Sequence, residues 1–391
     1  MSRAPLLMSL ALLAAWCALL EGAAMPKKVE AWPEGAPWPH WAAPGAKGSR
    51  VEALAPDEAA KWLRWLIPLP KRVRLEGKLR LPAAEVALRL RRGASDVEQA
   101  AAKELSALLG QAPAADGHVF PIIIGVCDAK GTVDGVAVPG ASELASLRNS
   151  DQAYAIAPLA ERGLAVAALT GRGVYHGAKT LKQLLEAHRE EGRATLPIVA
   201  VLDWPDLAER GQWGGSCARD IEAIAEHKMN LVEVHSKLAL DEQGRGVAFI
   251  DAARQEAARL RAVKWVPIIT HLDQLHRSGI YERYPELLGK GKKAKDTYGE
   301  KFHAPCFSQP KTAELLADWF TSLAATKGVS DICVWLSEDH VQCECEGCRA
   351  WGCSGPFTPL PTPWPARRSS MPPKPKPSRP RSTSSTARRG W

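Results

Sequence analysis

Ile332-Cys-Val-Trp-Leu-Ser-Glu-Asp-His340 is a short apolar run that ends in two adjacent carboxylates and an imidazole. The segment before it, Lys311 to Lys327, has helical periodicity, so the run reads as a strand that follows a helix. In parallel α/β barrels the reacting groups collect where strands end, because the loops beyond them form the open face of the site. Glu338 and Asp339 are therefore candidates for acid and base work, with His340 beside them. The alternative is a solvated turn between a strand and a loop, which the same residues also describe.

The same rhythm repeats upstream. Arg210 to Trp213, Asn230 to His235 and Trp265 to Thr270 read as strands, with helices over Asp220 to Lys228 and Ile250 to Val263 between them. Strands alternating with helices predict a parallel sheet. His235 and His271 fall at the ends of the second and third of these strands, and a basic loop from Gly289 to Lys295 leads to Cys306.

Before Asp203-Trp-Pro205 the pattern differs. Val86-Ala-Leu-Arg-Leu90 alternates as a half-buried strand does, and Ser95-x-x-Glu98 is a capping box opening a helix that stops at Gly110. Val119 to Val126, Ala153 to Ala157 and Leu164 to Leu169 read as further strands, and Gly173 to Leu185 as a second helix. Gly171-Arg-Gly-Val-Tyr-His-Gly177 is not a dinucleotide fingerprint: its third glycine comes one position late, and it lacks a clear βαβ crossover with an acidic residue about 20 positions on. Its glycines instead let the helix approach the sheet closely.

The ends have another character. Arg3, the apolar run Leu6 to Leu20 and Glu21-Gly-Ala-Ala24 have the layout of a secretory signal at 1–24, so the mature protein is expected to be secreted or periplasmic. Bulky Trp16 argues against a lipid anchor at Cys17, and no later run is long enough to span a bilayer. Residues 25–71 form a Pro/Trp-rich arm and a short helix from Pro56. Residues 354–391 contain ten prolines and eight basic residues without a single Asp or Glu, a composition that cannot bury a core. Those eight account for the whole net charge of +8. The body is thus electrically balanced, which argues against a nucleic-acid partner. Oligomeric state leaves no mark in the sequence.

Gly173-Val-Tyr-His-Gly-Ala-Lys-Thr-Leu-Lys-Gln-Leu-Leu185, the junction Asp203-Trp-Pro205 with Arg210-Gly211, and Lys228-Met-Asn-Leu-Val-Glu-Val-His235, in this order and spacing, resemble glycoside hydrolase family 20, the β-N-acetylhexosaminidases. The resemblance runs from about Arg72 to Arg349. It implies an α/β fold: a small sandwich-like α/β domain at 72–203, then a (β/α)8-type barrel at 204–353 that is truncated after about four βα units. It implies a glycan substrate containing amino sugars and no required cofactor. It also makes Arg210 a contact to sugar hydroxyls at the end of the first strand, with His235, His271 and His340 as further substrate contacts.

The carboxylates depart from the family pattern. Its fourth strand ends in two glycines, then the Asp that orients the substrate acetamido group, then the Glu that serves as general acid. Here the order is Leu336-Ser-Glu-Asp339. A shift of one residue aligns Asp339 with the Asp and places His340 in the acid position. An ordinary carboxylate pair with a partner from another strand end is the other arrangement. An α-glucuronidase-like hydrolase and a non-catalytic carbohydrate-binding protein are the alternatives in function.

Eight of nine cysteines lie beyond the signal segment. Cys343-x-Cys345-x-x-Cys348, with Cys353 nearby and Cys306 in a loop able to approach, supplies either four thiolates for a structural zinc or disulfides bracing the loop.

Overall fold

The computed structural model describes residues 38–109, 120–188, 190–295, 303–335 and 341–350. The signal segment, most of the arm and the basic tail lie outside them, as do Glu338, Asp339 and His340.

The first unit contains, in chain order, β1 (Glu52–Ala53), α1 (Pro56–Leu63), β2 (Arg72–Pro82), β3 (Val86–Leu90), α2 (Asp96–Leu109), β4 (Phe120–Val126), β5 (Thr132–Val133), β6 (Val136–Ala137), β7 (Tyr154–Pro158), β8 (Leu164–Ala168), α3 (Gly171–Glu186) and β9 (Arg193–Asp203). Seven of the strands form one mixed sheet in the order β1-β2-β9-β7-β8-β4-β3. Side-chain size divides its two faces. Along β7 and β8, Tyr154, Ile156, Leu164 and Val166 enter the large core beneath the helices, whereas Ala155, Ala157, Ala165 and Ala167 face a second cluster with Val133 and Leu144. Both strands are buried throughout, so they read as continuous apolar runs rather than alternating ones.

The capping box forms as expected: the Ser95 N–H donates to Glu98 Oε2 at 2.8 Å, and the Glu98 N–H reaches Ser95 Oγ at 3.4 Å. Helix α3 begins at Thr170, whose hydroxyl oxygen accepts the Gly173 N–H. A Cβ on Gly173 would come 2.5 Å from the Ala153 carbonyl oxygen, and one on Gly177 2.6 Å from Val166 Cγ1. The glycines therefore set the distance between helix and sheet. The arm is part of this unit: β1 pairs antiparallel with β2, and Trp41 donates its indole N–H to the Leu159 carbonyl.

The second unit contains β10 (Gly211–Trp213), α4 (Ile221–Glu226), β11 (Leu231–His235), β12 (Lys237–Leu240), β13 (Gly246–Phe249), α5 (Ala252–Leu260), β14 (Lys264–Ile269), α6 (Ile280–Arg283), α7 (Pro310–Ala324), β15 (Cys333–Val334) and α8 (Glu346–Ala350). Strands β10-β11-β14-β15 form a parallel sheet in chain order. Parallel neighbours require a crossover, and α4, α5 and α7 provide it. The hairpin β12–β13 is an insertion the sequence rhythm does not announce. It docks on α7, where Asp318 Oδ2 accepts the Gly246 N–H and Ser322 Oγ accepts the Ala248 N–H, each at 3.0 Å.

The two units share one core. Ile221, Ile224, Val232 and Trp265 belong to the same apolar cluster as Leu105, Leu181 and Leu184. Buried Lys179 on α3 adds a polar bond between the units, donating to Glu104 of α2 and to Glu226 of α4. Among the described residues no helix is long and apolar enough to cross a membrane.

Candidate active site

Parallel strands all end on one side, and four rings meet there. Trp213 is the last residue of β10, His235 the last of β11, His271 follows β14 and Trp335 follows β15. The Trp335 N–H bonds to the Ile269 carbonyl at 3.1 Å, which continues the ladder by one residue and fixes the indole. Its ring centroid lies 4.7 Å from that of Trp213, 5.3 Å from His235 and 4.9 Å from His271, all edge-on. Trp213 is 63% exposed, so its indole faces solvent rather than a core. Partial burial, and then the neighbouring His271, lower the pKa of His235 from the ordinary histidine value. Near neutral pH that ring is accordingly an uncharged donor and acceptor. Flat apolar walls with convergent polar tips suit a sugar ring, which has an apolar face and a rim of hydroxyls.

The structure thus brings together His235 and His271. Trp213 and Trp335 join them and were not singled out from the sequence; the signal was an aromatic residue at the C-terminal end of a strand. Glu338 and Asp339 follow Trp335 by three and four positions in the chain but lie, with His340, outside the described residues.

Arg210 requires a correction. It precedes β10 instead of ending it, and so sits at the opposite end of that strand from the rings. Its guanidinium donates to Gln152 Oε1 at 3.0 Å, to the Leu207 carbonyl at 2.6 Å and to the Lys228 carbonyl at 2.7 Å. These bonds tie the small domain to the starts of β10 and β11. A strand of three residues offers too little pattern to show which of its ends a flanking side chain occupies.

Arg210 also lines a cavity of about 470 Å3 between the units, with Pro68, Tyr154, His176, Asp203 and Lys228. Burial pushes the pKa of His176 down to about 3 and that of Lys228 down to about 8. The Tyr154 hydroxyl donates to Asp203 Oδ2 at 2.7 Å, and Asp203 Oδ1 accepts the Lys71 N–H at 3.0 Å. Tyr154 with Asp203, and Arg210 with Lys228, are thus joined at the seam rather than at the C-terminal ends of the parallel strands.

The cysteines converge. The Sγ atoms of Cys306, Cys343, Cys345 and Cys348 all lie within 4.8 Å of one another. Among the described residues every cysteine is a free thiol.

Comparison with known proteins agrees with the small domain. Residues 64–204 match the family model described as Glycosyl hydrolase family 20, domain 2. The family 20 resemblance read from the sequence is borne out over that stretch. No curated protein matches the chain. Among solved structures it is similar to an exo-β-N-acetylglucosaminidase of family 20 from Vibrio harveyi, at 17% identity and a TM-score of 0.47, covering 67% of this chain and 45% of that one. A chitobiase from Flavobacterium johnsoniae is 17% identical with a TM-score of 0.44, covering 66% and 42% respectively. A β-N-acetylhexosaminidase from Bacteroides fragilis is 15% identical with a TM-score of 0.43, covering 66% and 54%. The chain spans about half the length of these solved structures.

Proposed function

We propose that this chain is an exported glycoside hydrolase-like protein of the family 20 type that takes amino-sugar glycans at the C-terminal edge of its parallel sheet. The sheet, in this reading, is part of a (β/α)8-type barrel. The observation that carries the proposal is the ring cluster of Trp213, His235, His271 and Trp335 at four successive strand ends. Trp213 and Trp335 stack on the sugar, and His235 and His271 contact its hydroxyls. Glu338 and Asp339 supply the acid and the polarising carboxylate, in an order opposite to the family pattern. That reversal favours a second reading, glycan binding without turnover.

Two measurements test the assignment on the full chain: tryptophan fluorescence titrated with chitooligosaccharides, and hydrolysis of a chromogenic N-acetylglucosaminide. Trp335→Ala is expected to weaken binding about fivefold or more, with one aromatic stacking contact to a flat ligand such as a base, worth on the order of 1–3 kcal/mol, as the guide. Glu338→Gln with Asp339→Asn is expected to keep binding while removing any hydrolysis. Turnover that survives the double amide change removes these carboxylates from the mechanism. Absence of both binding and turnover in the unaltered chain ends the proposal.

A further inference from the structure

We propose that Cys306, Cys343, Cys345 and Cys348 form a structural zinc site that fastens the chain beyond the fourth parallel strand to the body of the second unit. Cys306 lies in the turn before α7, Cys343 and Cys345 lie in the segment after residue 340, and Cys348 lies in α8. Cys306 Sγ is 3.6 Å from Cys345 Sγ and 3.8 Å from Cys348 Sγ. Zinc held by four thiolates at about 2.3 Å puts neighbouring sulfurs of its tetrahedron about 3.8 Å apart. A disulfide pairs sulfurs two by two at about 2.05 Å, whereas Cys306 is nearly equidistant from two partners.

The surroundings suit thiolates. The Lys290 N–H points at Cys343 Sγ from 3.3 Å and the Cys348 N–H at Cys345 Sγ from 3.4 Å. The Ser308 hydroxyl is 3.3 Å from Cys345 Sγ. Such donors offset the negative charge that four thiolates leave around a divalent ion. Cys306, Cys343 and Cys348 are buried, yet they form a small cluster separate from the larger cores, with Phe307 and Cys345 packed against it among the described residues. An apolar contact area that small is a weak reason for Val341 to Ala350 to stay in place. Toward the 290–293 loop the segment adds backbone bonds from the Gln342 N–H to the Lys293 carbonyl and from the Glu344 N–H to the Lys290 carbonyl, and Glu344 Oε2 accepts the Lys293 N–H at 3.1 Å. A metal ion held by all four sulfurs would tie this segment to Cys306 more firmly than these bonds do. All four positions are protein sulfur, so no coordination site remains for substrate, and the role is structural.

The site stands whether or not the chain hydrolyses glycans. Its test is the metal content of the full chain purified without chelator, together with the visible spectrum after cobalt replaces zinc. One zinc per chain, four fewer titratable thiols before metal release than after, and the intense absorption of tetrahedral sulfur-bound cobalt are expected. Cys345→Ser should lose the zinc, while Cys217→Ser, which alters a thiol in another part of the fold, should keep it. Zinc-free protein whose non-reduced peptide map shows disulfides among these four residues would overturn the proposal. So would retention of zinc by both Cys345→Ser and Cys306→Ser. The cobalt spectrum of the unaltered chain decides the matter even if a variant fails to fold.

Discussion

Glu98 shows how one side chain can serve two levels of structure. Its carboxylate is fully buried, closes the capping box on α2, accepts the Val126 N–H at 2.9 Å, and grips the Arg91 guanidinium at 2.6 and 2.9 Å. Burial alone would raise its pKa, but the Arg91 bonds and the backbone N–H groups of Ser95 and Val126 outweigh it and hold the carboxyl below the ordinary glutamate value. A depressed carboxyl pKa contributes stability that is present above the unfolded value of 4.5 and lost as pH falls through the folded one. Glu98→Ala should cost about 3 kcal/mol, because the buried pair loses one member. Urea denaturation between neutral and acid pH checks both points. The variant should be less stable near neutrality, and its deficit should shrink as the medium becomes more acid. A deficit that stays constant with pH would contradict the linkage.

At the scale of elements, α3 depends on how closely it sits on the sheet. Alanine is a better helix former than glycine by about 1 kcal/mol, so an exposed Gly173→Ala would stabilise. Here the added methyl meets a backbone carbonyl of the strand entry, which cannot turn away as a side chain can. Overpacking of that kind costs about 1–3 kcal/mol, enough to offset the gain. A net loss of about 1 kcal/mol is expected in thermal or chemical unfolding, and increased stability would show that the helix can move outward freely.

The same scale shows where sequence patterns end. The βα rhythm of the second unit, the helix over Gly173 to Leu185 and the capping box were all readable, because each depends on residues close in the chain. The long strands β2 and β9 were not placed. Pro197 stands inside β9 and argues against an interior strand, since proline cannot donate to the ladder. The pairing accommodates it with an irregular register in β2 between Leu75 and Gly77, beside the point where Lys78 faces Pro197. The alternation Val73, Leu75, Leu79, Leu81 was the signal available for β2.

For the whole molecule, the shared core argues for cooperativity. Apolar residues from α2, α3, α4 and the parallel sheet belong to one cluster, and Lys179 joins three helices across the seam. Calorimetry should show one unfolding transition whose van't Hoff and calorimetric enthalpies agree. Two resolved transitions would mean that the seam is weaker than its burial implies.

Local chemistry was written in the chain itself: helix starts, strand rhythm, the cysteine spacing and the family 20 character of the small domain all rest on residues near one another in sequence. Packing alone decided which strand end Arg210 occupies, that indoles from β10 and β15 close on His235 and His271, and that Cys306 reaches three thiols some forty positions away. Periodicity reports which way a side chain faces within its own element. Meeting across elements depends on sheet order and on the crossovers between strands, which no local pattern encodes.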